Sequence, residues 1–226
     1  MAPVAIVAGS GMDLRPLLDR ITDEKPFSAF AGLDAGGIAG HPCTFLWGRC
    51  GGVPVILQCG RRHLYEGLSF REVTRSIDLL HDFGAATVLL LNAVGALLPE
   101  LEPGAVVAAA HVRTWPCRRL DVPERLTPEL VPECEHRGVY CWMHGPCYET
   151  RAEIGALRQL GGAVVGMSAA PELLRCQQLR LRAGILSCVT NSCITPQVLT
   201  HEHVLATAQN ASAALCAVLR QNLLRL

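Results

Sequence analysis

Immediately past an apolar run at Val53–Gln58 the chain reads "GRRHLYEG" (60–67), placing Arg61, Arg62, His63, Tyr65 and Glu66 within six residues. A strand-to-helix connection needs only a turn and a cap, so this density of polar groups points to a ligand. Other apolar runs end in a related way. Val4–Ala8 is followed by Gly9-Ser10-Gly11, Thr87–Leu91 by Asn92-Ala93-Val94-Gly95, and Ala163–Gly166 by Met167 and Ser168; the run from Gly184 closes on Thr190 and Asn191. Ligands of open α/β folds bind beyond the carboxyl ends of strands. If these ends converge, Ser10, Arg61, His63 and Ser168 supply hydroxyl and cationic donors, and the Gly11 and Ala93 amides can add to them. Glycines let backbone approach a ligand, turn amides favour anions, and arginine binds phosphate with a planar fork of donors. The residue types therefore describe an oxyanion pocket, most simply for phosphate. Each feature also has a plainer reading. Gly9-Ser10-Gly11 can be a tight turn, Arg61 and His63 a solvated turn, and Asn92 and Asn191 partners of nearby backbone. Ser168 can cap a helix at Pro171, and Met167 can be core. Only their joint placement argues for a site.

The elements that would position these residues are legible from pattern. Six apolar runs, at Val4–Ala8, Val53–Gln58, Thr87–Leu91, Ala105–Ala109, Ala163–Gly166 and Gly184–Thr190, read as strands, several of them continuous as in strands covered on both faces. Ser69-x-x-Glu72 and Thr150-x-x-Glu153 are capping boxes, followed by apolar residues at helical spacing and then by Gly84 and Gly161. Pro171-Glu172 resembles a first helical turn. A helical pattern runs from Thr200 to the C-terminus through Val204, Leu205, Ala208, Leu215 and Leu219. The alternation predicts one α/β layered domain over 1–226. Its least regular stretch is Thr114–Glu135, which carries four prolines and several charges.

Composition narrows the classes. The 226 residues are 50% hydrophobic with 20 basic and 20 acidic side chains, a zero formal charge that lacks the footprint of a nucleic-acid binder. The eleven cysteines form no CxxC pair and no zinc-like spacing with histidine, and the eight histidines do not group as metal ligands. Small thiols without a disulfide framework suit a reducing compartment. The opening "MAPVAIVAGSGM" lacks a basic region before its apolar run, and no run reaches the length of a membrane span. The expectation is a soluble, cytoplasmic protein without a metal, a nucleic-acid partner or a membrane. Gly-Lys-Ser/Thr is absent, so this is not a Walker loop, and Gly9-Ser10-Gly11 lacks the third glycine of a Rossmann fingerprint.

Eight segments occur in order: "AGSGM" (8–12), "GH" (40–41), "CGRRHLYEG" (59–67), "LNAVGAL" (91–97), "GVYCWMHGPCYETRAE" (138–153), "VGMSAAPE" (165–172), "VTN" (189–191) and "THEHVL" (200–205). Together they resemble the purine nucleoside phosphorylase family, in its trimeric, low-molecular-mass class. The resemblance implies an α/β single domain with a mixed twisted sheet, partly barrel-like and flanked by helices. It implies phosphorolysis of purine nucleosides to free base and ribose 1-phosphate, with inorganic phosphate as co-substrate, no other cofactor, and a homotrimer. Residue by residue, it assigns Ser10, Arg61, His63, the Ala93 amide and Ser168 to phosphate. Tyr65, Met167 and His201 fall to the ribose, with Tyr148 and Val165 as walls about the base and Glu149 and Asn191 reading it. His63, Glu149 and Asn191 form the catalytic set. An amide at Asn191 goes in this family with 6-oxopurines such as inosine and guanosine. The alternatives are a methylthio-nucleoside phosphorylase and a family member that binds nucleoside or phosphate without turnover. One departure stands out: residues 111–137 form an irregular, shortened excursion lacking the family's histidine–asparagine and Pro-Leu-x-Gly elements. Trp115 is the candidate there for an aromatic lent to a neighbouring subunit.

Overall fold

Continuous apolar strands need cover on both faces, and that requirement organises the molecule. The computed structural model describes residues 1–9, 11–33, 43–115, 122–195 and 201–225, without the side chains of 201–203 and 205. The described strands are β1 (Val4–Ala8), β2 (Arg20–Pro26), β3 (Thr44–Cys50), β4 (Val53–Cys59), β5 (Thr87–Ala96), β6 (Val106–Thr114), β7 (Arg125–Leu126), β8 (His136–Trp142), β9 (Gly162–Gly166) and β10 (Arg182–Ser192). Their order across one mixed sheet is β10-β6-β8-β9-β5-β1-β4-β3-β2, with β7 on β6. A further pairing of β10 with β5 closes β5, β9, β8, β6 and β10 into a five-stranded, barrel-like ring. The expected mixed, partly barrel-like α/β fold is therefore the observed one. β1 is buried at every residue and lies parallel between β4 and β5. At the far edge β2 carries "RITDEKP" fully exposed, a charged edge with a proline that discourages further pairing.

Five described helices cover the sheet: α1 (Phe70–Asp82), α2 (Arg151–Gln159), α3 (Ala170–Gln178), α4 (His201–Asn210) and α5 (Ser212–Leu223). Both capping boxes form. Glu72 N–H donates to Ser69 Oγ (3.3 Å) and Glu153 N–H to Thr150 Oγ1 (3.3 Å), while each glutamate accepts the N–H of its cap residue. One core packs α1 and α3 against the sheet through Ile77, Leu80 and Leu173, and another packs α5 through Leu215, Leu219 and Leu223.

The structure corrects several expectations. The C-terminal helical pattern is two helices separated at Ala211. Asn92–Gly95 and Asn191 do not follow their strands but belong to them, because β5 and β10 run on together as far as Ala96 and Ser192. The described residues of the stretch 111–137 are less irregular than expected. His111–Thr114 continue β6, β7 turns back onto it, and β8 begins at His136. Thr114 holds that return by donating its N–H to Glu124 O (3.0 Å) and its hydroxyl to Pro123 O (2.7 Å). Trp115 is half-buried and packs against a cluster containing Leu97, Cys141 and Met143.

Candidate active site

Strands β1, β4, β5 and β10 are parallel, so their carboxyl ends share one edge of the sheet. β9 runs against β5, yet it pairs only through Gly95↔Val165 and Ala96↔Val164, near the carboxyl ends of both strands. Five strand ends therefore converge. They enclose a cleft of about 700 Å³, open mouth included, a size suited to a small molecule. Arg61, His63, Tyr65, Ala93, Tyr148, Glu149, Val165, Met167, Ser168 and Asn191 all line it. Predicted site residues as far apart in the chain as Arg61 and Asn191 thus meet in one place. Ser10 and the side chain of His201 lie outside the described residues.

Arg61 is 3% exposed, which removes the solvated-turn reading. Its Nη1 donates to Leu91 O (2.6 Å) and to Ser168 Oγ (3.2 Å), while Nε donates to Glu172 Oε1 (3.2 Å) and Nη2 pairs with Glu172 Oε2 (3.2 Å). His63 is buried beside it. Glu66 Oε1 accepts the His63 N–H (2.5 Å) and lies 3.1 Å from Nδ1. An ionised carboxylate accepts only, so that contact suits a hydrogen on Nδ1. The imidazole stacks on Tyr65, with ring centroids 4.6 Å apart and planes 15° apart. Burial pushes the Tyr65 hydroxyl up to about 12, with Glu66 adding to it, so it stays a neutral donor. Gly145 lets the wall behind Tyr65 close. A Cβ there would lie 2.5 Å from Met167 Sδ and 3.0 Å from Tyr65 Cδ1.

The opposite end of the cleft is built differently. Glu149 precedes α2, and its Oε1 is buried without a hydrogen-bond partner. Burial pushes its carboxyl above the ordinary value, and Glu153 adds to the shift. A buried acceptor left unpaired is costly, which marks it as waiting for a donor. Asn191 owes its direction to a bulge. Val189 pairs with Val94 and Asn191 with Gly95, so Thr190 is the extra residue and the strand is re-aimed there. Thr190 Oγ1 lies 3.2 Å from Val94 O and 3.0 Å from Asn191 Oδ1, and Asn191 Nδ2 lies 3.8 Å from Cys193 Sγ. Gly95 makes room for this group, since a Cβ there would be 2.3 Å from Cys193 Sγ and 3.1 Å from Asn191 Nδ2. Val165 is buried in the wall, whereas Tyr148 is 46% exposed at the cleft.

Two plainer readings are also settled. Asn92 does not line the cleft; it is fully buried and accepts from Ser187 Oγ (2.8 Å). Ser168 does not cap α3, because the cap position is Ala169. Sequence reasoning gave no site role to Glu172, Tyr140 or Cys193, and noted Thr190 only as a polar strand end. For Glu172 the visible signal was an acidic residue directly after Pro171. Among the described residues no group of histidine, cysteine, aspartate and glutamate is arranged to hold a metal ion.

Residues 3–223 match the family model described as the phosphorylase superfamily. The chain belongs to that superfamily. A purine nucleoside phosphorylase of Mycobacterium tuberculosis (strain ATCC 25618 / H37Rv) is 31% identical, over 96% of this chain and 87% of the relative. One from Cellulomonas sp is 32% identical, over 96% and 84%. Purine nucleoside phosphorylase 1 of Geobacillus stearothermophilus is 28% identical, over 93% and 86%. The fold matches a crystal structure of a schistosoma purine nucleoside phosphorylase in complex with hypoxanthine, with TM-score 0.82 at 23% identity, covering 100% of this chain and 91% of the other. The superfamily member described here thus has the fold and family of the purine nucleoside phosphorylases, a class of pentosyltransferases. No described helix is long and apolar enough to cross a membrane.

Proposed function

We propose that this chain catalyses phosphorolysis of 6-oxopurine nucleosides, inosine and guanosine among them. The reading rests on one observation: a single cleft holds a cation–hydroxyl cluster at one end and, at the other, a half-buried carboxylate whose Oε1 is buried without a hydrogen-bond partner. Arg61, His63, Ser168 and the Ala93 amide bind inorganic phosphate, joined by Ser10. Tyr65, Met167 and His201 take the ribose between phosphate and base. Tyr148 and Val165 flank the purine, and Glu149 and Asn191 read its edge. Phosphate is the nucleophile, so no activated serine or cysteine and no further cofactor enters. A phosphate oxygen bonds to the anomeric carbon as the bond from that carbon to the base nitrogen breaks. The electron pair leaves with the purine, which takes up one proton in exchange for the one that the attacking hydrogen phosphate gives up. Positive charge grows on the sugar, next to the anionic phosphate, and negative charge grows on the base, where Asn191 hydrogen-bonds. Preorganised donors of this kind contribute about 3–4 kcal/mol each, and holding both substrates together supplies a further large term.

Glu149 accepts the N–H of the six-membered ring, which a 6-oxopurine carries and adenine lacks. The Asn191 amide donates to the 6-oxo group. The wrong base leaves buried polar groups unpaired, a strong basis for discrimination. The homotrimer and the cytoplasmic location remain part of this proposal through the family resemblance, and sedimentation of the purified protein tests the first. The activity is tested on a panel of inosine, guanosine, adenosine and methylthioadenosine, with and without phosphate. Turnover of the first two only, and only with phosphate, is the expected result. Preference for the methylthio substrate would replace this reading with the methylthio-nucleoside alternative. Tight inosine binding without turnover would leave a binding protein.

A further inference from the structure

We propose that Glu172 is the positioning residue of the phosphate site, clamping its two halves together; this rests on the phosphorolytic reading above. The halves come from distant parts of the chain, Arg61 from the end of β4 and Ser168 from the end of β9. Glu172 lies in the first turn of α3, 2% exposed, and uses both oxygens. Oε1 accepts from Arg61 Nε (3.2 Å), while Oε2 lies 3.2 Å from Arg61 Nη2 and accepts the Ala169 N–H at 3.0 Å. One carboxylate therefore fixes a guanidinium plane and a backbone amide at once.

That amide belongs to a strained turn. Ala169 has φ +68° and ψ −34°, and Ala170 N–H donates to Ser168 O (2.9 Å). This is a three-residue γ-turn of the positive-φ kind, rare for a residue with a Cβ. Such strain persists where surrounding contacts over-determine it, and it clusters at functional sites. Here the contacts are Glu172 on the Ala169 amide and the Tyr140 hydroxyl on Ser168 O (2.5 Å). The turn places Ser168 Oγ 3.2 Å from Arg61 Nη1, whose other anchor is Leu91 O at 2.6 Å. A helix start needs no buried carboxylate, and burying one is expensive unless it is paired and hydrogen-bonded. The two partners of Glu172 are the neighbours of the anion site, which is the arrangement a positioning role requires.

The test compares wild type with Glu172→Gln and Glu172→Asp. Gln keeps the size and loses the charge. Asp keeps the charge but is one methylene short, so it reaches Arg61 or the Ala169 amide and not both. Initial rates are measured with phosphate and inosine varied separately, and thermal melting is followed across a phosphate titration. The expected result is a phosphate KM raised about tenfold or more, the worth of a charge-assisted contact. The inosine KM stays near wild type, and the melting shift produced by phosphate shrinks. If Glu172→Gln fails to fold, Glu172→Asp decides. A folded variant with an unchanged phosphate KM and melting shift overturns the proposal, as does a parallel rise in both KM values. Absence of turnover in wild type would strike the phosphorolytic reading instead, and the phosphate-dependent melting shift would still judge the clamp.

Discussion

Glu149→Gln should make the protein more stable and nearly inactive on inosine, a pairing that separates a binding-site role from a structural one. The native carboxylate has Oε1 buried and unpartnered, with its carboxyl pushed above the ordinary value by burial and by Glu153. The folded state then holds the proton more tightly than the unfolded chain. Stability therefore falls as pH rises from the ordinary carboxylate value through the raised one, and the penalty is complete once pH exceeds the raised value. An unsatisfied buried group costs about 1–3 kcal/mol. The residue is only partly buried, so we take the low end. Removing its charge should then return about 1 kcal/mol, or about 2–4 °C in melting temperature for a chain of this size. Catalysis moves the other way. Gln keeps an acceptor but loses the charge that anchors the purine N–H, and kcat/KM for inosine should fall about 100-fold, within the range for loss of one charge-stabilising group. The pH profile adds a third readout. In wild type kcat/KM should decline on the acid side with an apparent pKa above the ordinary glutamate value, and in Glu149→Gln that limb should disappear. Differential scanning calorimetry and initial rates, taken from the ordinary glutamate value up through the alkaline plateau, make the comparison. A variant that melts lower, or that turns over inosine like wild type, refutes the reasoning.

Further outcomes follow from the same geometry. Asn191→Asp replaces a donor with a carboxylate facing a 6-oxo group, so inosine turnover should fall and the adenosine-to-inosine rate ratio should rise; an unchanged ratio removes Asn191 from specificity. Arg61→Lys keeps the charge but cannot span Leu91, Ser168 and Glu172, so the phosphate KM should rise about tenfold or more in initial-rate measurements, lysine being a poor substitute for a bidentate fork. Tyr140→Phe deletes the 2.5 Å hydrogen bond to Ser168 O but leaves the carbonyl its bond from Ala170 N–H. It should cost about 1 kcal/mol of stability by denaturant titration and raise the phosphate KM by less than Arg61→Lys does.

How much of this was legible in the sequence depended on how local each cause was. Ser69–Glu72 and Thr150–Glu153 are helix starts written within four residues, and both form as read. Val4–Ala8 could be found because its burial needs no alternation. β2 could not, since "RITDEKP" has neither apolar faces nor strand-like composition; it is a strand only because β3 offers an edge. The lengths of β5 and β10 were missed for a similar reason. Asn92 and Asn191 look like loop residues until the two strands are paired. The site followed the same rule. The concentration of donors after β4 was visible, but the burial of Arg61 was not, because it depends on Glu172, 111 positions away. The γ-turn at Ala169 and the bulge at Thr190 are tertiary facts with no local signature.

The central claim is that Arg61, His63, Ala93 and Ser168 hold an inorganic phosphate that attacks the sugar. The most direct measurement is the product balance from inosine in buffered solution, with phosphate present and then omitted. Hypoxanthine and ribose 1-phosphate in equal amounts, both vanishing without phosphate, is the predicted result. Hypoxanthine accompanied by free ribose, formed at the same rate without phosphate, would contradict the account.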